Sequence, residues 1–233
     1  MTMNYPDVLR EIQQRTAGAR IPARVVAAMT EVAAGRRRMT AVRHPLGFVC
    51  LPVQRRGVYG ICVHLWTEER PELEVTTSPM HSHSWDLLSY VLYGEVRNQL
   101  VHVTDAPSTD TPGTDPTHRL FEVLSDGDTD DIRPTARLVR CEPGPMQSTR
   151  AGGTYRLAAG EFHMTVVPGE VEAVTVVLGH ARTDAADLSL GSLSTRRHRV
   201  SRRPCTEPET AQAAGLVARR LTDNMMESAR RRG

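Results

Sequence analysis

Two histidines, His81 and His83, flank one serine in the stretch Met80-His81-Ser82-His83-Ser84-Trp85-Asp86. In an extended chain side chains return to the same face every second residue, so the two imidazoles converge while Ser82 points away. A pair of converging imidazoles suits a divalent cation, and a catalytic site needs at least one further protein ligand with a position left open. His-x-His alone turns up by chance in many chains of this size, so the spacing around it sets its weight.

That spacing is specific. After His83 come three residues and then Leu87, and after Leu87 six residues and then Gly94. Downstream, Gly152 is followed by five residues, Ala158-Ala159-Gly160, two residues, His163, three residues and Val167. Taken together and in order, the two spacings resemble the paired motifs of the cupin superfamily over about residues 42 to 180. Three letters depart from the family pattern: Leu87 stands where it has Glu, Ala158 where it has Pro and Val167 where it has Asn. The resemblance implies a small antiparallel β-barrel of jelly-roll type with a metal in its mouth, held by His81, His83 and His163.

A ligand set of three neutral imidazoles leaves the cation its full charge, which favours anionic ligands such as a substrate carboxylate or thiolate. An all-histidine set resembles that of the cysteine dioxygenase-like cupins, the thiol dioxygenases. This implies Fe(II), O2 and a small chelating substrate, a thiol or an amino-acid-like molecule. Imidazole also suits Zn, Ni or Mn, and affinity alone does not choose among them. A zinc or other divalent-metal isomerase, lyase or bond-forming enzyme is therefore a second expectation, and a non-enzymatic ligand-sensing cupin a third.

Around these ligands, Asp86, Tyr155 and Glu161 are candidates for acid, base or supporting work beside a metal. Trp85 is a candidate pocket wall, and His64 a candidate pocket residue or a hydrogen-bonded core histidine. Counting in twos from Leu87 turns Ser89 and Val91 inward. Beyond Gly94 the parity is open to resetting, which leaves Arg97 and Gln99 as candidate substrate contacts, Arg97 because a guanidinium grips a carboxylate with two bonds.

Composition narrows the chemistry further. All 29 basic residues are Arg, so no lysine is available for a Schiff base, which excludes pyridoxal-phosphate enzymes and lysine-dependent aldolases. Cys50, Cys62, Cys141 and Cys205 include no Cys-x-x-Cys pair, which argues against a disulfide framework or a zinc knuckle and predicts reduced thiols. No long apolar run and no basic-then-apolar leader occur, so the expectation is a cytoplasmic protein without membrane contact. Acids concentrate between residues 105 and 131 and Arg between 195 and 233; solvated loops account for this more simply than attraction of the two segments for each other or for a partner, nucleic acid included. A homodimer is expected from the family resemblance.

The elements that must position these residues read as mostly β, with one barrel over 41–185. An N-terminal helical segment covers 1–40, and a basic segment with a helix covers 186–233. Val8, Leu9 and Ile12 share a helical face, and Pro22 is expected to open a second helix that ends near Gly35. Leu46 to Leu51 and Val58 to Trp66 predict a hairpin turning at Arg55-Arg56-Gly57, with Tyr59, Ile61, Val63 and Leu65 on one face and Cys62, His64 and Trp66 on the other. Glu72 to Thr77 leads into the histidine strand, Leu87 to Tyr93 and Glu95 to Val103 follow, and Thr104 to Pro134 reads chiefly as loop around a short His118 to Leu124 element. Ala136 to Glu142 and Thr154 to Leu157 predict strands, and Val171 to Gly179 a buried one. Thr206-Glu207-Pro208-Glu209 has the form of a capping box opening a helix with Ala213, Val217, Leu221 and Met225 on one side.

Overall fold

The computed structural model describes residues 3–67, 77–106, 115–168 and 172–230. Helices α1 (Tyr5–Gln13) and α2 (Ala17–Ala33) precede β1 (Val42–His44), β2 (Phe48–Arg56), β3 (Tyr59–Trp66), β4 (His81–Ser82), β5 (Trp85–Tyr93) and β6 (Glu95–Asp105). Then come β7 (His118–Asp126), β8 (Thr129–Arg150), β9 (Thr154–Leu157), β10 (His163–Val166) and β11 (Ala173–Ala181). The chain ends with β12 (Leu188–Gly191), β13 (His198–Ser201), β14 (Arg203–Pro204) and α3 (Glu207–Arg230). The protein is thus mostly β, with two antiparallel seven-stranded sheets. One runs β14-β1-β2-β3-β11-β5-β9 and the other β13-β8-β6-β10-β4-β12-β7. In the second sheet β7 also pairs with β8, so the path of pairing returns to β8. Among the described residues no helix is long and apolar enough to cross a membrane.

The period of two divides the first sheet into two working faces. Val49 and Leu51 of β2, Ile61, Val63 and Leu65 of β3, and Val174, Val176 and Leu178 of β11 pack with Val8, Ile21, Val25, Met29, Val217 and Leu221 of the three helices. The intervening residues face the second sheet: Trp66, Leu87, Val91 and Val177, with Tyr155 and Leu157 of β9 in the same sheet, meet Val96 of β6. Burial on the helix side anchors the sheet, at about 1.5–3 kcal/mol for each large apolar side chain withdrawn from water. The other face is left to line the interior.

The Cys50-to-His64 hairpin forms with the predicted parity, between Phe48–Arg56 and Tyr59–Trp66. The Thr206 capping box also forms: Glu209 N–H donates to Thr206 Oγ1 (3.3 Å) while Glu209 Oε2 accepts from Thr206 N–H (2.8 Å). Three expectations change. Pro22 lies inside α2, which starts at Ala17; so near the helix start the missing N–H deprives only the Gly18 carbonyl of its partner. The expected His118 to Leu124 element is β7, and the residues after it, expected as loop, turn at Asp126-Gly127-Asp128 into β8, with Asp126 opposite Thr129; 107–114 lie outside the described residues. The strand expected over Ala136 to Glu142 is the middle of the 22-residue β8, which pairs with β7 along its first half and with β6 along its second. A further strand, β12, comes from the region read only as polar and Arg-rich, and it pairs with β4 at the histidines. The lead-in over 72–76 lies outside the described residues.

Two glycines do work that other residues could not. Gly94, at φ +75, turns the chain from β5 in one sheet to β6 in the other, and a Cβ there would be driven into the Glu172 carbonyl oxygen. Gly160, at φ +79, supplies the left-handed position of the turn closed by Glu161 N–H and the Ala158 carbonyl (3.1 Å). Its own N–H donates to the His83 carbonyl (2.9 Å), tying the turn before His163 to the segment that carries the other two histidines.

Candidate metal centre

His81 and His163 are direct cross-strand partners on β4 and β10, and His163 is also paired with Leu100 on β6. Antiparallel partners project to the same face, so their imidazoles meet, with ring centroids 4.4 Å apart. His83 follows just past the end of β4, its ring 4.7 Å from that of His81 and 5.1 Å from that of His163. One ligating nitrogen from each lies within 4.8 Å of the others. Among the described residues, the group so gathered holds three imidazoles and no carboxylate.

Backbone carbonyls orient two of the three rings. His81 Nδ1 donates to the Pro79 carbonyl (2.9 Å) and His163 Nδ1 to the Glu161 carbonyl (3.1 Å). A carbonyl can only accept, so Nδ1 carries the proton in both rings and each Nε2 keeps its lone pair for a metal. Charge works the same way. Burial, and then the neighbouring His163, lower the His81 pKa to about 3. Burial likewise depresses His83, with His81 and His163 adding to it, and burial depresses His163. All three rings are therefore neutral near pH 7, the form in which imidazole binds cations. The donor set fits a divalent metal without proton competition.

The neighbouring candidates take varied places. Trp85 stacks on His83 with centroids 4.4 Å apart and planes at 29°, and Gly179 leaves room for its indole. It forms a wall of the centre. Leu87 is buried between its cross-strand partners Gly179 and Leu157. Asp86 points to the other face of β5, where Oδ1 accepts from Ala159 N–H (3.0 Å) and Oδ2 lies 3.7 Å from Arg182. It thereby fixes the turn that presents His163. Glu161 closes that same turn, accepting from Ala158 N–H (3.0 Å).

Tyr155 is buried on β9, its phenol meeting Ser89 and Asn98; burial raises its pKa, so it stays protonated. His64 faces the interior from β3, stacked on Phe48 (4.4 Å) and gathered with Cys50 and Cys62. Arg97 and Gln99 lie apart from the histidines. Val96, Asn98 and Leu100 take the inward positions of β6, so Arg97 is exposed and pairs with Glu95 (2.7 Å), while Gln99 donates to the Leu100 and Gly144 carbonyls. The parity changes at the Gly94 turn.

Asn98 is the interior residue that sequence reasoning missed. It is fully buried, and its Oδ1 accepts from Thr165 Oγ1 (2.9 Å) across the β6–β10 pair. Continuing the alternation from Val96 would have found it.

No family model matches this sequence, and no curated protein does. Solved structures similar in shape include an oxalate oxidase in complex with the substrate analogue glycolate, at 14% identity over 57% of this chain and 45% of that one, TM-score 0.30. Hydroquinone 1,2-dioxygenase from Sphingomonas sp. TTNP3 with 4-hydroxybenzoate bound is 13% identical over 57% and 65%, TM-score 0.33. An oxalate decarboxylase variant of Bacillus subtilis is 12% identical over 63% and 28%, TM-score 0.33. The chain spans less than two thirds of the length of each. Likeness at this level carries no inference about chemistry.

Proposed function

We propose that this protein is a metal-dependent enzyme of the cupin type, with His81, His83 and His163 as ligands of an Fe(II) ion and a small chelating substrate oxidised by O2. The observation that carries the reading is the gathering of three neutral imidazoles, two with Nδ1 committed to backbone carbonyls, from motifs 82 residues apart in sequence. Structural metal sites are closed by four protein ligands, whereas a three-ligand facial set leaves positions for substrate. When bound, the ion supplies Lewis acidity and a redox couple for O2 chemistry, with a charge that no protein carboxylate among the gathered ligands offsets.

The chain's own residues then have distinct tasks. The Pro79 and Glu161 carbonyls hold the tautomers, Asp86 and Gly160 hold the His163 turn, and Trp85 shields His83 from solvent. An anionic thiol or amino-acid-like chelator matches the uncompensated charge. Leu87, occupying the position where the family pattern has Glu, keeps that charge available.

Protein isolated without oxygen and loaded with Fe(II) tests this directly. Loading of the triad and O2 uptake with a panel of small thiol and amino-acid chelators are expected, both lost in His163→Ala. Turnover supported by Zn(II) without O2 uptake would instead establish the Lewis-acid isomerase or lyase. Unchanged triad loading in His163→Ala would overturn the metal centre itself.

A further inference from the structure

A second set of metal-ligating side chains lies on the inner face of the first sheet, outside the histidine triad. Cys50 on β2 and His64 on β3 are direct cross-strand partners, and Cys62 lies two residues before His64 on the same face. One ligating atom from each, Cys50 Sγ, Cys62 Sγ and a His64 ring nitrogen, falls within 4.8 Å of the other two. We propose that Cys50, Cys62 and His64 form a binding site for a thiophilic cation, Zn2+, distinct from the triad.

The ligand types select the ion. Two thiolates and an imidazole are soft and borderline donors, unlike the all-nitrogen triad, and they favour zinc over the hard, oxygen-seeking cations. Charge selects it again: two thiolates neutralise a dication, so the filled site adds no net charge to a largely apolar interior walled by Phe48 and Trp66. Phe48 stacks on His64 at 4.4 Å and fixes the ring plane, as a ligand ring requires.

An unsatisfied group points the same way. Thr175, the cross-strand partner of His64 on its other side, has a fully buried hydroxyl with no hydrogen-bond partner. A buried hydroxyl left alone is costly. Beside a filled site it could donate to a thiolate or hold a water in the fourth position.

A disulfide is the competing fate of two close thiols, and the register opposes it. Cys50 faces His64 and Cys62 faces Pro52, so the two cysteines are diagonal neighbours. Diagonal Cα atoms stand about 7–8 Å apart, beyond the roughly 6.8 Å that a disulfide spans. Their side chains converge enough to share an ion but not to bond without moving the strands.

Reduced, metal-free protein titrated with Zn2+ under argon decides the matter, with Co2+ as a spectroscopic probe. The expected uptake is two equivalents in the wild type and one in each of two variants, Cys50→Ser/Cys62→Ser and His81→Ala/His83→Ala/His163→Ala. The triad variant should keep a thiolate-to-cobalt charge-transfer band, and two of its four thiols should be protected from alkylation when metal is bound. If the wild type binds one equivalent that survives in the cysteine variant, this site does not exist while the triad stands. If the single equivalent survives only in the triad variant, the site stands and the triad reading fails. The wild-type measurements need no variant to fold: the absence of a cobalt–thiolate band with all four thiols equally reactive, or a Cys50–Cys62 disulfide formed in air-exposed protein with O2 as the oxidant, overturns the proposal.

Discussion

Replacing Gly94 by Ala separates two costs that the structure combines at one position. At φ +75 any L residue meets the left-handed penalty of about 1–2 kcal/mol. The new methyl would also lie 3.1 Å from Ala173 Cα and 3.2 Å from its Cβ, and well inside contact with the Glu172 carbonyl oxygen. Backbone cannot swing away as a flexible side chain does, so the start of β11 must shift, an overpacking cost of about 1–3 kcal/mol. The sum is about 2–5 kcal/mol. For a chain of this length about 1 kcal/mol moves Tm by roughly 2–4 °C, which gives a fall of roughly 4–20 °C. Gly127→Ala is the control, because Gly127 has φ +57 with nothing within 4 Å of its would-be Cβ. It should show the backbone penalty alone, and Asn, which tolerates the left-handed region, should recover most of it at 127 but little at 94. Thermal melts of the four variants by circular dichroism are the assay. A Gly94→Ala melt no lower than that of Gly127→Ala would refute the steric account of the β5–β6 crossing.

Other outcomes follow from single contacts. Gly179→Ala places a methyl 3.0 Å from Trp85 Cε3, so the indole should leave His83; altered Trp85 fluorescence and weaker metal binding are expected, with Trp85→Phe restoring space in the double variant, and unchanged fluorescence and affinity would contradict this. Asn98→Ala removes the acceptor of the half-buried Thr165 hydroxyl and should cost about 0.5–1.5 kcal/mol, read as a lower urea midpoint; a midpoint equal to wild type would remove Asn98 from the interior network. Glu209 is held at about 2 by the Thr206 N–H first and then by Arg43. Because this lies below the unfolded value of about 4.3, its contribution is present above about 4.3 and disappears as pH falls through about 2. Glu209→Gln should thus melt below wild type at pH 7 and converge with it in strong acid; a gap independent of pH would assign the stability to another contact.

Local backbone geometry was legible in the residues themselves. Alternation on β3 assigned Ile61, Val63 and Leu65 to one face and Cys62, His64 and Trp66 to the other, and the capping box marked the start of α3. Spacing placed His81, His83 and Leu87 relative to Gly94. These features depend on periods of two and 3.6 and on steric limits that act within a few residues, so they survive without knowledge of the partner strand.

What stayed hidden depends on which strand lies beside which. Parity across the Gly94 turn sent Asn98 inward and Arg97 outward. The long β8 changes partners midway, and β12 returns from the Arg-rich region to flank His81. The scattered cysteines carried no motif, yet the hairpin register sets Cys50 beside His64 and Cys62. Pairing register is a long-range choice made by whole faces competing for burial, and a one-residue slip reverses every side chain. Sequence therefore determined what each strand could present, and only tertiary pairing decided which presentations meet.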